Sequence, residues 1–87
     1  MSQTERKTTR LGGAAGFSIH AVGKSTAYTR IELWQDVDIL CSVALTGGAK
    51  RKDVLDQIRD CLPANLPSDD AAFLTGLVIQ AYLHRAI

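Results

Sequence analysis

At 87 residues, with 46% hydrophobic and 22% charged side chains, the chain suits one domain with a modest core and is too apolar to stay disordered. Ten Lys and Arg against nine Asp and Glu leave a formal charge of +1, so no global field draws the protein to nucleic acid or anionic lipid. No apolar run approaches the roughly 18 residues of a membrane span, and residues 1–10 carry no apolar stretch of the kind a secretory signal needs, so the expectation is a cytoplasmic protein with no membrane partner.

Residues 1–13 read as a flexible N-terminal segment, with a short strand around residues 8–11 that Gly12 and Gly13 break. Phe17, Ile19 and Ala21 then alternate with Ser18 and His20, the period of a half-buried strand. Gly23-Lys24-Ser25 is turn chemistry. A second alternating run puts Thr29, Ile31 and Leu33 on one face and Tyr28, Arg30 and Glu32 on the other. These runs predict an antiparallel hairpin, which is marginal alone and must pack on something.

Three helices are expected to supply that layer. Over residues 34–45, Val37, Leu40, Cys41, Ala44 and Leu45 recur at helical spacing before Gly47-Gly48, a C-cap pair. Over residues 50–62, Val54, Leu55, Ile58, Cys61 and Leu62 repeat the pattern, and Pro63 stops it. Ser68 reads as the N-cap of a last helix, with Asp69 and Asp70 in its first turn, where negative charge suits the helix dipole. Cys41 and Cys61 sit among apolar neighbours on these helices and read as core thiols.

Chemical motifs are sparse. Gly23-Lys24-Ser25 mimics the end of a phosphate-binding loop, but Ser18 stands where the earlier glycine is required. His20 and His84 have no second ligand at a recognised metal spacing. Asp36 and Asp38, expected at a helix start, point in different directions and suit its dipole better than acid–base work. No nucleophile–base–orienter set can be named, so neither an enzyme nor a cofactor is expected. Lys50-Arg51-Lys52 is the densest basic cluster, which raises DNA binding. However, a recognition helix presents basic and amide side chains from its first turns, and the last helix opens on two aspartates.

That helix carries the strongest functional signal. Of the seventeen residues 71–87, twelve are apolar, and on a 3.6-residue turn they form two stripes on nearly opposite sides. Leu74, Leu77, Val78 and Ala81 make one; Ala72, Ile79, Leu83 and Ala86 make the other. One stripe can face the core, and the second needs a partner.

The ordered pattern over residues 28–87 resembles PqqD and the related RiPP recognition elements, which are small winged-helix peptide-binding domains. The resemblance rests on Ile31-Glu32-Leu33 ending a strand and on an apolar helix closing on Thr46-Gly47-Gly48. It continues through Lys52-Asp53-Val54-Leu55-Asp56-Gln57-Ile58 and a last helix ending on Ala86-Ile87. It implies an α+β winged helix over residues 14–87: an N-terminal antiparallel hairpin or three-stranded sheet, then three helices. It also implies a non-catalytic peptide chaperone that binds the leader of a ribosomally made precursor and presents it to a separate modifying enzyme. The leader would add as a strand to an edge formed by Tyr28, Thr29, Arg30, Ile31 and Glu32. Ala72, Ile79 and Leu83 would line the groove, with Gln80 selecting at its rim beside Arg30 and Glu32. Full burial of Ile79 and Leu83 is worth about 3–6 kcal/mol before ordering costs. A winged-helix DNA-binding regulator and a homodimeric adaptor are the alternatives, and the second stripe could also simply pack beneath the hairpin.

Overall fold

The computed structural model describes residues 7–24 and 26–86. Their order is β1 (Thr8–Ala14), β2 (Phe17–Lys24), β3 (Ala27–Gln35), β4 (Asp38–Ala44), α1 (Arg51–Cys61) and α2 (Ser68–Leu83). The strands form one antiparallel meander in the order β1-β2-β3-β4. The helices cover one face of it, α2 against β1, β2 and β3 and α1 against β4. The protein is α+β as expected, but it is not a winged helix: a four-stranded sheet precedes two helices.

The expected helix over residues 34–45 is the main correction. Those residues finish β3, turn, and return as β4. The same stretch carries a period of two, Ile39, Cys41, Val43 and Leu45, and it is rich in β-branched side chains, which fit a pleated sheet better than a helix. The reversal rests on Asp36, whose φ of 54° is left-handed, a conformation aspartate tolerates better than most residues. Asp36 therefore lies in a hairpin turn and Asp38 opens β4, and neither serves a helix dipole. Gly47 and Gly48 follow a strand and cap no helix.

The expected hairpin is present as β2 and β3, paired from Phe17↔Gln35 to Lys24↔Ala27. Gly12 and Gly13 do not break the first strand; β1 runs through both and pairs with β2, with a bulge between Arg10 and Gly12. A boundary after residue 13 thus cuts β1. Glycine is needed at 13, because a Cβ there would lie 2.6 Å from the carbonyl oxygen of Phe17. Met1 to Arg6, the rest of the expected flexible segment, lie outside the described residues, as do Ser25 and Ile87.

The second expected helix stands as α1. In the last, Pro67 holds the cap position, Ser68 is the first helical residue without a side-chain cap bond, and Asp69 and Asp70 lie in the first turn. The helix stops at Leu83 and does not run to the end of the chain. Beyond it the backbone joins the sheet: the N–H of Tyr28 donates to the carbonyl of His84 at 3.1 Å, and the N–H of Ala86 donates to that of Tyr28 at 2.8 Å.

The core lies between the layers. Ile19, Ala21, Ile31 and Leu33 from the sheet meet Val54 and Ile58 of α1 and Leu74, Val78 and Ala81 of α2.

Candidate functional site

The inner stripe of the last helix lies where the helical wheel puts it, and the outer one does so through Leu83; Ala86, expected to extend it, lies past the helix and bonds to Tyr28 of β3. Leu74, Leu77, Val78 and Ala81 are the buried residues of α2, and the opposite face is left to solvent. There Ala72, Gly76, Ile79 and Leu83 follow one another at intervals of four, three and four residues, one line along the helix. Ala72 is exposed, Ile79 half-buried and Leu83 66% exposed.

This line forms one wall of a groove. The other wall is the end of α1 and the connection to α2, contributed by Arg59, Leu62, Pro63 and Leu66. The groove has a volume of about 610 Å³, within the range that holds a ligand or a peptide side-chain cluster. Two prolines bracket the connection, and Leu66 N–H donates to the carbonyl of Pro63 at 3.2 Å, so a local turn shapes that wall. Ala71, Ala72, Thr75, Gly76 and Ile79 line the helical side.

Gly76 is its most informative residue, and the two apolar stripes read from the sequence leave it without a role. Glycine inside a helix costs about 1 kcal/mol relative to alanine. A Cβ at Gly76 would meet nothing within 4 Å. No intramolecular contact therefore requires a glycine, while its absent side chain lets another molecule approach the α2 backbone closely. The signal was available in the sequence as a glycine between Ala72 and Ile79, mid-helix and far from any cap.

The structure does not bring the other expected site residues to this groove. β3 is an interior strand, hydrogen-bonded to β2 on one side and β4 on the other, so Tyr28, Thr29, Arg30, Ile31 and Glu32 form no open edge. Even Tyr28, beyond the end of β4, is sealed by the segment after α2. Ile31 is wholly buried in the core. Arg30 Nε donates to Ser42 Oγ at 2.9 Å, and Thr29 Oγ1 lies 3.4 Å from the carbonyl of Val22. Gln80 is exposed but outside the groove lining, and Leu83 continues the groove's line one turn beyond it. Strand addition at residues 28–32 is thereby excluded; of the expected set, Ala72 and Ile79 stand together in the groove.

The helix-free face of the sheet holds a polar layer that the sequence did not announce. His20 stacks on Trp34 with ring centroids 4.4 Å apart, and its Nε2 shares a hydrogen bond of 3.0 Å with Ser18 Oγ. Trp34 Nε1 donates to Glu32 Oε1 at 3.1 Å, which helps to hold a carboxylate that is only 3% exposed. Burial, then the charge of Arg10, lowers the pKa of His20 below its usual 6.5, against an opposing pull from Glu32. Among the described residues no buried side-chain nitrogen or oxygen lacks a partner. The layer satisfies itself, and Ser18, its only hydroxyl beside a histidine, is buried. No group of three or more potential metal ligands occurs among the described residues.

The two thiols, expected in the core, lie half-buried at the β4–α1 contact and packed on the core cluster. Burial, and secondarily a hydrogen bond with Cys61, pushes the Cys41 thiol up to about 12. Among the described residues no helix is long and apolar enough to cross a membrane. Set against known protein families, curated proteins and solved structures, the chain matches none of them.

Proposed function

We propose that the protein is a non-catalytic peptide-binding module whose ligand lies along the outer face of α2. The observation that carries this reading is Gly76: a destabilising residue with empty space before it, midway along an apolar groove. Ala72 and Gly76 allow close backbone approach, and Ile79 and Leu83 supply aliphatic contact beyond them. Such a surface suits an amphipathic helical segment with apolar residues at i, i+3 or i+4, and i+7. Aliphatic burial of this size, less ordering costs, corresponds to roughly micromolar affinity.

The leader of a precursor peptide is the first ligand to try, and presentation to a separate modifying enzyme in the cytoplasm is the role it would serve. The mode of capture differs from strand addition, since the interior position of β3 leaves groove contact to carry the binding. DNA recognition loses its recognition helix along with the winged-helix fold, and α2 begins on acidic residues.

The test uses isotope-labelled full-length protein and a display library of amphipathic peptides. Selected peptides should shift the backbone amide signals of Thr75, Gly76, Ile79, Leu62 and Leu66. Ile79→Asp and Gly76→Met should abolish binding while keeping a cooperative melt. Gly76→Ala should raise stability by about 1 kcal/mol, some 4–8 °C in melting temperature for a domain of this size, while weakening the peptide. Peptides that bind equally well to all three variants, or signal shifts confined to the sheet, would refute the reading.

A further inference from the structure

We propose that a second copy of this chain docks along the free edge of β4, joining two four-stranded sheets into one across a two-fold axis. The backbone pattern comes first. Leu45 N–H donates to the carbonyl of Thr29 at 2.9 Å, and hydrogen-bonded pairs alternate along an antiparallel ladder. Val43 and Cys41, opposite Ile31 and Leu33, therefore turn their backbone groups toward β3. Ser42 and Ala44 turn theirs outward, and no strand lies beyond β4 among the described residues. Unpaired groups in a row are a template for another strand.

The side chains around this edge are more apolar than an isolated edge tolerates. Val37 is 82% exposed, Ile39 49% and Leu40 40%. Leu40 is the extra residue of a bulge, set between the pairs Leu33↔Cys41 and Trp34↔Ile39. No lysine, arginine or proline interrupts β4. The opposite edge differs, since β1 has Arg10, two glycines and its own bulge.

Charge selects a copy of this chain as the occupant. Exposed Asp38 opens β4, and exposed Lys50 and Arg51 stand where α1 begins, six residues and more beyond its other end. An antiparallel two-fold pairing centred on Ser42 sets Leu40 of one copy against Ala44 of the other and Asp38 against Thr46. The acidic end of each strand then approaches the basic end of its mate, twice by symmetry. Among the described residues Lys52 pairs with Asp56, and none of Asp38, Lys50 and Arg51 is held in an ion pair.

Sedimentation of the full chain from low micromolar to submillimolar concentration tests this directly. A monomer–dimer equilibrium is expected. Leu40→Lys and Asp38→Lys should each weaken it by about tenfold or more. Adding Lys50→Asp and Arg51→Asp to Asp38→Lys should restore most of the loss. Asp38, Lys50 and Arg51 are exposed, so thermal melts should stay close to wild type. A monomer at every concentration overturns the proposal. So does a dimer indifferent to these substitutions, or one lost in Leu83→Asp but kept in Leu40→Lys, which would put the interface on α2.

Discussion

His20 is a histidine whose neutral form the fold prefers, held between Trp34, Ser18 and the charge of Arg10. Its folded pKa lies below the unfolded value of 6.5. Above that value both states are neutral at this site and no stability is at stake. Below it the unfolded chain takes up the proton first, so stability falls with pH until the folded state also binds it. The melting temperature is expected to decline as pH drops from about 7 to 5.5, and His20→Asn should flatten that decline. A wild-type slope equal to the variant's would show that burial at His20 does not matter. Thr75 illustrates a residue whose hydrogen bond stays local: its hydroxyl donates to the carbonyl of Ala71 at 2.7 Å, so it lines the groove without offering its donor to a ligand.

At the scale of elements, the stretch from Trp34 to Leu45 decides the fold, and the sequence supports two periods there. Val37, Leu40, Cys41, Ala44 and Leu45 satisfy helical spacing, while Ile39, Cys41, Val43 and Leu45 satisfy alternation. The bulge at Leu40 breaks that alternation in the fold, because Ile39 pairs with Trp34 and so leaves the face shared by Cys41, Val43 and Leu45. The turn lacks the usual glycine or asparagine and relies on Asp36. By contrast, β2 and α1 were readable because each carries one period and a clear stop; β3 was readable as a strand, but its last residues, Trp34 and Gln35, went to the expected helix, and Tyr28, expected opposite Ile31 and Leu33, joins them in the core. The inner stripe of α2 was readable for the same reason, and the outer one as far as Leu83, since the helix ends before Ala86; what the sequence could not give was the neighbour of the outer stripe. The connection between the helices forms that wall through Leu62 and Leu66, residues with no periodicity to place them. The edge assigned to residues 28–32 failed because it depended on residues 34–45 being helical; once these become β4, β3 is flanked on both sides. Asp36 offers a test of this turn. Asp36→Val should destabilise by about 1–2 kcal/mol, because a β-branched residue resists left-handed φ, whereas Asp36→Gly should not. Equal effects of the two changes in chemical denaturation would count against the hairpin.

Across the whole molecule, two layers share one small core, and the thiols report on their separation. Cys41 belongs to β4 and Cys61 to the last turn of α1. With Cys41 held neutral by burial and by its neighbour, alkylation of Cys41 by iodoacetamide near pH 8, followed by peptide mass mapping, should run at least about a hundredfold slower in the native protein than in urea. Native rates matching the denatured ones would mean that α1 leaves the sheet readily. The order of the chain also has a consequence during synthesis. The meander emerges first, and its hairpins can close while the helices are still inside the ribosome. Ile19, Ile31 and Leu33 then face water until Leu74, Val78 and Ala81 arrive, and the backbone latch on Tyr28 follows them. Until its helices emerge, a nascent chain of this design shows a bare apolar sheet, which is when a chaperone would have most reason to hold it.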